Sequence, residues 1–356
     1  MSASLRGGAA AASLGATYRA RTRRKQLLLA FMALALLGSV TLDLALGPAR
    51  FSAADVVRAL LSPAAAPPEV VAVLWRLRLP TALMAVVAGA SLAVAGAQMQ
   101  TILANPLASP FTLGISAAAG FGASLALAFG VSLVPALMGI MVPLNALAMA
   151  LLAAGIIHVF SLQRGVTTES VILLGIALVF SFNAFLTLVQ FLASEQAIAA
   201  IVFWTMGSLT KATWERLAIC TAVLVLILPV FMMRAWALTS LRLGEDRAAS
   251  LGIRVRRLKL ETMALVALLA AVPISFVGTI GFIGLVGPHM ARLLIGEDQR
   301  FLLPASALCG AVLLSASSIL SKTLVPGTIL PIGIVTAIIG VPLFVFLILR
   351  SVRVRP

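Results

Sequence analysis

Long apolar stretches dominate this chain, and polar residues fall between them rather than alternating with them. From Leu79 to Gln163 there is no Asp, Glu, Lys or Arg, an 85-residue run whose one histidine is His158. At roughly 20 residues per crossing, that run holds three helices. Their turns are marked by Asn105-Pro106-Leu107-Ala108-Ser109-Pro110 and by the stretch around Pro135 and Pro143. Further apolar runs at 27–47, 170–193, 214–233, 261–279, 281–296, 301–321 and 329–349 bring the expected count to about ten. Between Pro273 and Pro288, four glycines (Gly278, Gly281, Gly284, Gly287) interrupt the pattern, so a helix there is expected to be short or broken. The expected fold class is all-α, a polytopic membrane protein of about ten transmembrane helices.

Composition agrees with the pattern. The chain is 62% hydrophobic and 10% charged, with a mean hydropathy of +1.13, against about 25% charge in a soluble domain. A β-barrel would alternate polar and apolar residues along each strand, which this sequence does not do. The net charge of +15 could suggest nucleic acid, but the basic residues cluster beside apolar segments, as membrane orientation requires, and no nucleic-acid partner is expected. With the N-terminus in the cytoplasm, 19 of the 26 Lys and Arg fall on inside segments, among them Arg164 and the seven between Arg234 and Lys259. Both ends are then cytoplasmic. Residues 1–26 read as a basic, partly disordered tail, 27–350 as one transmembrane domain and 351–356 as a second tail. The basic start followed by Leu27-Leu28-Leu29 also has the shape of a signal peptide, but nine later spans favour an uncleaved first helix.

Candidate chemistry is sparse. An ion-driven carrier needs an ionisable group at mid-membrane, and of eleven acids only Asp43 falls within an expected span, near its outer end. His158 and His289 sit near span ends, where packed interfacial residues are common. Cys220 and Cys309 lie in apolar runs and read as small hydrophobes. No metal site, cofactor or catalytic constellation is expected. The chain also lacks GxxxxGK[ST], the phosphate-cradling loop of an ATPase, so energy for uphill transport would come from a partner. A secondary carrier and a non-transporting membrane scaffold or enzyme are the rival readings.

The longest inside loop, 239–259, is TSLRLGEDRAASLGIRVRRLK. Gly244-Glu245 can open a helix with an acid in its first turn, Ala248 and Ala249 favour it, and Gly252 can end it after Leu251. Such a helix suits a groove on another protein; a plain positive-inside loop is the alternative.

This loop resembles the coupling loop of the permeases of iron-chelate and cobalamin ABC importers, the FecCD family, and other family motifs recur in order. They are Leu77-Arg78-Leu79-Pro80, the Gly89–Gln100 stretch GASLAVAGAQMQ, Asn105-Pro106-Leu107-Ala108-Ser109-Pro110 with Leu113-Gly114, and Trp204-Thr205-Met206-Gly207-Ser208-Leu209. Phe282-Ile283-Gly284-Leu285-Val286-Gly287-Pro288-His289 with Arg292, and Leu330-Pro331-Ile332-Gly333-Ile334-Val335-Thr336, complete the set.

The resemblance implies a type II ABC importer permease fold: two permease subunits, here expected as a homodimer, two ATPase subunits below and a periplasmic substrate-binding protein above. It implies that Gly244, Glu245, Ala248, Ala249, Leu251 and Gly252 meet the ATPase. Asn105, Leu107 and Thr168 would close a path lined by the fifth and tenth helices, although Asn105 taken alone reads equally as a helix cap. Arg76, Arg78 and Lys322 would receive the binding protein, against the alternative of interfacial snorkelling. Departures from the family pattern are Thr81 for an arginine, and Ser318 and Leu330 for acids, so a local charge network at the outer rim is expected to be missing. Gln98, Gln100, Asn183 and Gln190 among small residues suit a weakly binding passage for a bulky complex. That points to an iron–siderophore, with haem or cobalamin behind it.

Overall fold

The computed structural model describes residues 2–47, 51–132, 140–163 and 165–353. The expected turn at Pro135, Arg164 of the charge tally and the final residues 354–356 lie outside the described residues. Helices α1 (Ser2–Ala45), α2 (Ala53–Leu61) and α3 (Pro68–Val73) lead through a π turn at Leu74–Arg78 into α4 (Leu79–Ile102). Then come α5 (Ile115–Phe129), α6 (Met141–Ser161), α7 (Thr168–Leu192), a short returning helix α8 (Glu195–Thr205) and α9 (Trp214–Met233). The long loop holds α10 (Ala235–Ser240) and α11 (Glu245–Ser250), and the chain closes with α12 (Val255–Val277), α13 (Ile283–Ile295), α14 (Gln299–Thr323) and α15 (Ile332–Arg353).

Among the described residues, seven helices are long and apolar enough to cross a membrane, and three shorter apolar ones complete a set of ten. The all-α, ten-span architecture is therefore the observed one. Three elements differ from the sequence reading. Residues 1–26, expected to be partly disordered, continue α1 back to Ser2, as their Ala-rich composition favours. Helix α12 starts at Val255 rather than near 261, because Arg256, Arg257 and Lys259 can hold their charges outside the apolar layer on long stems. Helix α8 had no counterpart in the expected runs.

Helix α4 is the centre of the bundle: its residues are small and apolar all round, so nearly every one is buried. Its glycines set the distance to its neighbours. A Cβ on Gly96 would overlap the Gly284 carbonyl of α13, and one on Gly89 would overlap the Gly310 carbonyl of α14. The break expected between Pro273 and Pro288 falls at Gly278–Phe282; both prolines lie inside helices, and α13 is only 13 residues long.

Exposed backbone groups are costly in an apolar medium, and this break is satisfied by neighbouring corners. Ser208 N donates to Val277 O at 2.7 Å, Ile332 N to Gly207 O at 3.1 Å and Gly333 N to Met206 O at 2.9 Å. Thr279 also donates its hydroxyl to Thr205 O. Three separate corners thus interlock at the end of the bundle opposite the long loop.

A candidate coupling and gate site at the loop end

Three turns meet the long loop at one end of the bundle. The loop is stiffened by two left-handed glycines, Gly244 (φ +101°) and Gly252 (φ +82°), which bracket α11 as the sequence suggested. Ala248 is fully buried and pins the helix to the bundle, whereas Ala249, Leu243 and Leu251 are exposed, the two leucines by 56% and 50%. Exposed leucines flanking a well-anchored short helix are what a partner-facing element presents. Glu245 Oε1 accepts from Lys259 Nζ at 2.5 Å, tying the start of α11 to the start of α12. The Glu245 side chain remains 60% exposed.

A cavity of ≈ 820 Å³ lies beneath α11 and brings Thr168 together with Glu245, Ala249 and Lys259, along with Leu103 from the end of α4. Thr167 caps α7 by accepting from Ser170 N at 3.3 Å, which places Thr168 at the rim. Asn105 and Leu107 are not among the lining residues. Asn105 Oδ1 accepts from Leu107 N at 2.8 Å, so it shapes its own turn, and Leu107 is 51% exposed.

Behind the cavity is a polar network that the sequence reading missed. Arg242 of the loop and Arg292 of α13 both reach Glu297 Oε2, at 2.7 and 3.1 Å. Arg292 also donates to Gln100 Oε1 of α4. Gln98 Nε2 donates to Gln299 Oε1 at 3.0 Å, Gln299 Nε2 donates to Thr101 Oγ1 at 2.9 Å, and Gln299 N donates to Thr239 Oγ1 at 3.1 Å. Gln98 and Gln100, expected to face a passage, are instead buried and bonded inside the subunit. Arg292 in an otherwise apolar helix was the available signal, since such a residue must be paired. Next to Glu297, Asp298 caps α14 and binds Arg300 at 2.7 Å; hydrogen bonds from Arg300 hold its carboxyl below the usual carboxylate range.

Glu297 links loop to core, so Glu297→Gln should free the loop. Amide exchange over residues 239–252 is expected to rise about fivefold, equivalent to ~1 kcal/mol, and Arg242→Ala should do the same. Unchanged exchange in both would show that this bridge does not anchor the loop.

At the opposite end, the three basic candidates separate. Arg76 is exposed. Arg78 is 6% exposed and donates to Leu44 O at 2.8 Å and Ala45 O at 3.2 Å, with its guanidinium 4.9 Å from the Phe51 ring. Lys322 Nζ lies 2.8 Å from Asp43 Oδ1, and Ser318 donates to the same carboxylate at 3.1 Å. The rim network expected to be missing is therefore present. The carboxylate comes from α1 rather than from position 318, because Ser318 is too short to ion-pair but can steer Asp43. Arg78 and Lys322 hold the rim together, and Arg76 is the one of the three that projects. Trp75 and Trp214, with ring centroids 6.3 Å apart, form an aromatic patch beside it, as at a membrane–water interface.

Ten apolar spans, with the buried α4 as the central one of the ten, define a multi-pass membrane protein. Residues 27–350 match the FecCD transport family, and the chain belongs to that family of ABC importer permeases. It is 38% identical over 325 residues to the Fe(3+) dicitrate transport system permease protein FecD of Escherichia coli, covering 91% of this chain and 98% of that one. The vitamin B12 import system permease protein BtuC of Vibrio cholerae is 36% identical over 279 residues, 78% and 82% of the two chains. A solved inward-facing chain, described as from a metal-chelate type ABC transporter, superposes with a TM-score of 0.80 at 30% identity, over 91% of this chain and 99% of that one.

Proposed function

We propose that this chain forms the membrane path of an ATP-driven importer that carries an iron–siderophore complex from the periplasm into the cytoplasm of a bacterium. Two identical copies enclose the path, two ATPase subunits dock on the loop end, and a substrate-binding protein docks on the opposite rim. Both termini are then cytoplasmic. The observation that carries the reading is α11: a short helix fixed by Ala248, presenting Glu245 and Leu251 outward, and sharing a cavity with the Thr168 turn. Movement of a docked ATPase would reach that turn directly. Asn105 and Leu107 act beside it in the gate.

The reading is also supported by what the spans offer. Asp43 of α1 is fully buried and paired with Lys322, and Glu261 of α12 is paired with Arg234 and Arg257, so neither carboxylate is free for an ion gradient to work on. The FecD relative favours a ferric chelate as cargo, and the BtuC relative keeps vitamin B12 as the second reading. At the opposite rim, Arg76 is the cation placed to meet an acidic binding protein, with Arg78 and Lys322 shaping its platform.

Reconstituted vesicles holding permease, ATPase and binding protein should take up ferric siderophore in a vanadate-sensitive manner. Glu245→Ala with Leu251→Ala should cut ATPase retention in a pull-down by at least about tenfold, because interface anchors of this kind contribute roughly 1–2 kcal/mol each. Uptake that persists without any nucleotide, or retention unchanged in the double variant with the fold intact, would reject the scheme.

A further inference from the structure

The first turns of α12 face the end of α6 across a second cavity of ≈ 670 Å³, separate from the gate cavity. We propose that it is a binding site for an anionic phospholipid of the leaflet at the loop end. Arg254, Arg256 and Arg257 line its outer part. Among the described residues, Arg254 and Arg256 have no carboxylate partner, and Arg257 shares one. Glu261 is the one carboxylate in the lining, and it already accepts from Arg257 at 2.6 Å and from Arg234 at 2.7 Å. Arg256 donates to the neutral carbonyl of Leu162, and Arg254, at the cap of α12, is exposed to its surroundings. His158, on α6, adds a buried Nδ1 without a hydrogen-bond partner.

The inner part of the cavity is apolar, floored by Leu260 and Ala264. From Arg254 to Ala264 the helix rises about 15 Å, close to half the thickness of a bilayer's hydrocarbon core. The groove therefore runs from the headgroup layer into the hydrocarbon. Its occupant must be an anion at one end and apolar along the rest. Free phosphate would leave the floor uncovered, and a soluble protein partner does not enter the apolar layer. A phospholipid with a net negative headgroup meets both demands, and basic pockets between membrane helices are known to select such lipids.

The test is native mass spectrometry of the full-length permease in detergent, titrated with phosphatidylglycerol or with phosphatidylcholine of the same acyl chains. Wild type should retain phosphatidylglycerol at least about tenfold better. Arg254→Gln with Arg257→Gln should remove that preference. Ala264→Trp, which fills the floor and leaves every arginine in place, should weaken retention by a similar factor. Thermal midpoints of the variants confirm that they are folded, and the wild-type comparison decides the matter even where one variant is not. Equal retention of the two lipids, or displacement of phosphatidylglycerol by millimolar inorganic phosphate, would overturn the proposal. So would full retention in either folded variant. Loss of ATPase binding with lipid retention unchanged would assign the arginines to the protein partner instead.

Discussion

Replacing Lys322 with methionine is expected to lower the stability of the folded permease by about 3–5 kcal/mol, although the new side chain fits the same space. Lys322 is 8% exposed and Asp43 is fully buried, 2.8 Å away. Removing the cation leaves a buried carboxylate that keeps the Ser318 hydroxyl as a hydrogen-bond donor and the Arg78 guanidinium as a nearby charge, but has lost its ion-pair partner. Unpaired charge in such a setting costs far more than the pair itself contributes. Asp43→Asn should cost less, because an amide can still accept from Ser318, and Asp43→Asn combined with Lys322→Met should recover most of the loss. Thermal unfolding in detergent of the two single variants and the double variant measures the coupling. Additive effects would mean that the ion pair does not join α1 to α14.

The second large effect concerns packing. Gly96→Val should prevent the permease from accumulating as a monodisperse species, since the new Cβ would occupy the position of the Gly284 carbonyl. The obstacle is backbone, which cannot rotate away, so the cost is expected to exceed the roughly 1–3 kcal/mol typical of an overpacked core. Gly155→Val is the matched control: it also lies mid-helix, but nothing stands within 4 Å of its Cβ position. Size-exclusion profiles of the two variants should differ sharply. If both run like wild type, the close approach of α4 and α13 is not essential.

Much of the architecture could be read from one dimension because the solvent imposes it. A bilayer demands about 20 apolar residues per crossing, so the spans, the short α13 and the loop 239–259 stood out without any knowledge of contacts. The bracket of Gly244 and Gly252 was equally local, since a left-handed backbone needs little more than a glycine. What escaped was pairing over long sequence distances. Asp43 looked like a lone acid and Ser318 like a missing one, yet they meet across 275 positions. Gln98 and Gln100 had the right polarity for a path, and nothing in their neighbourhood of the sequence announced Gln299 and Arg292 as partners. Helix α8 was also hidden, because its 11 residues are too few to register as a span.

The interlocked corners around Gly207, Gly278 and Gly333 carry a mechanical implication. Three of their four bonds run between main-chain atoms, so exchanging side chains cannot remove those three, and bulk added at the glycines would wedge the corners apart. That extremity works like the rivet of a pair of tongs. Leverage delivered at the far handles would spread the jaws there and leave the rivet where it is.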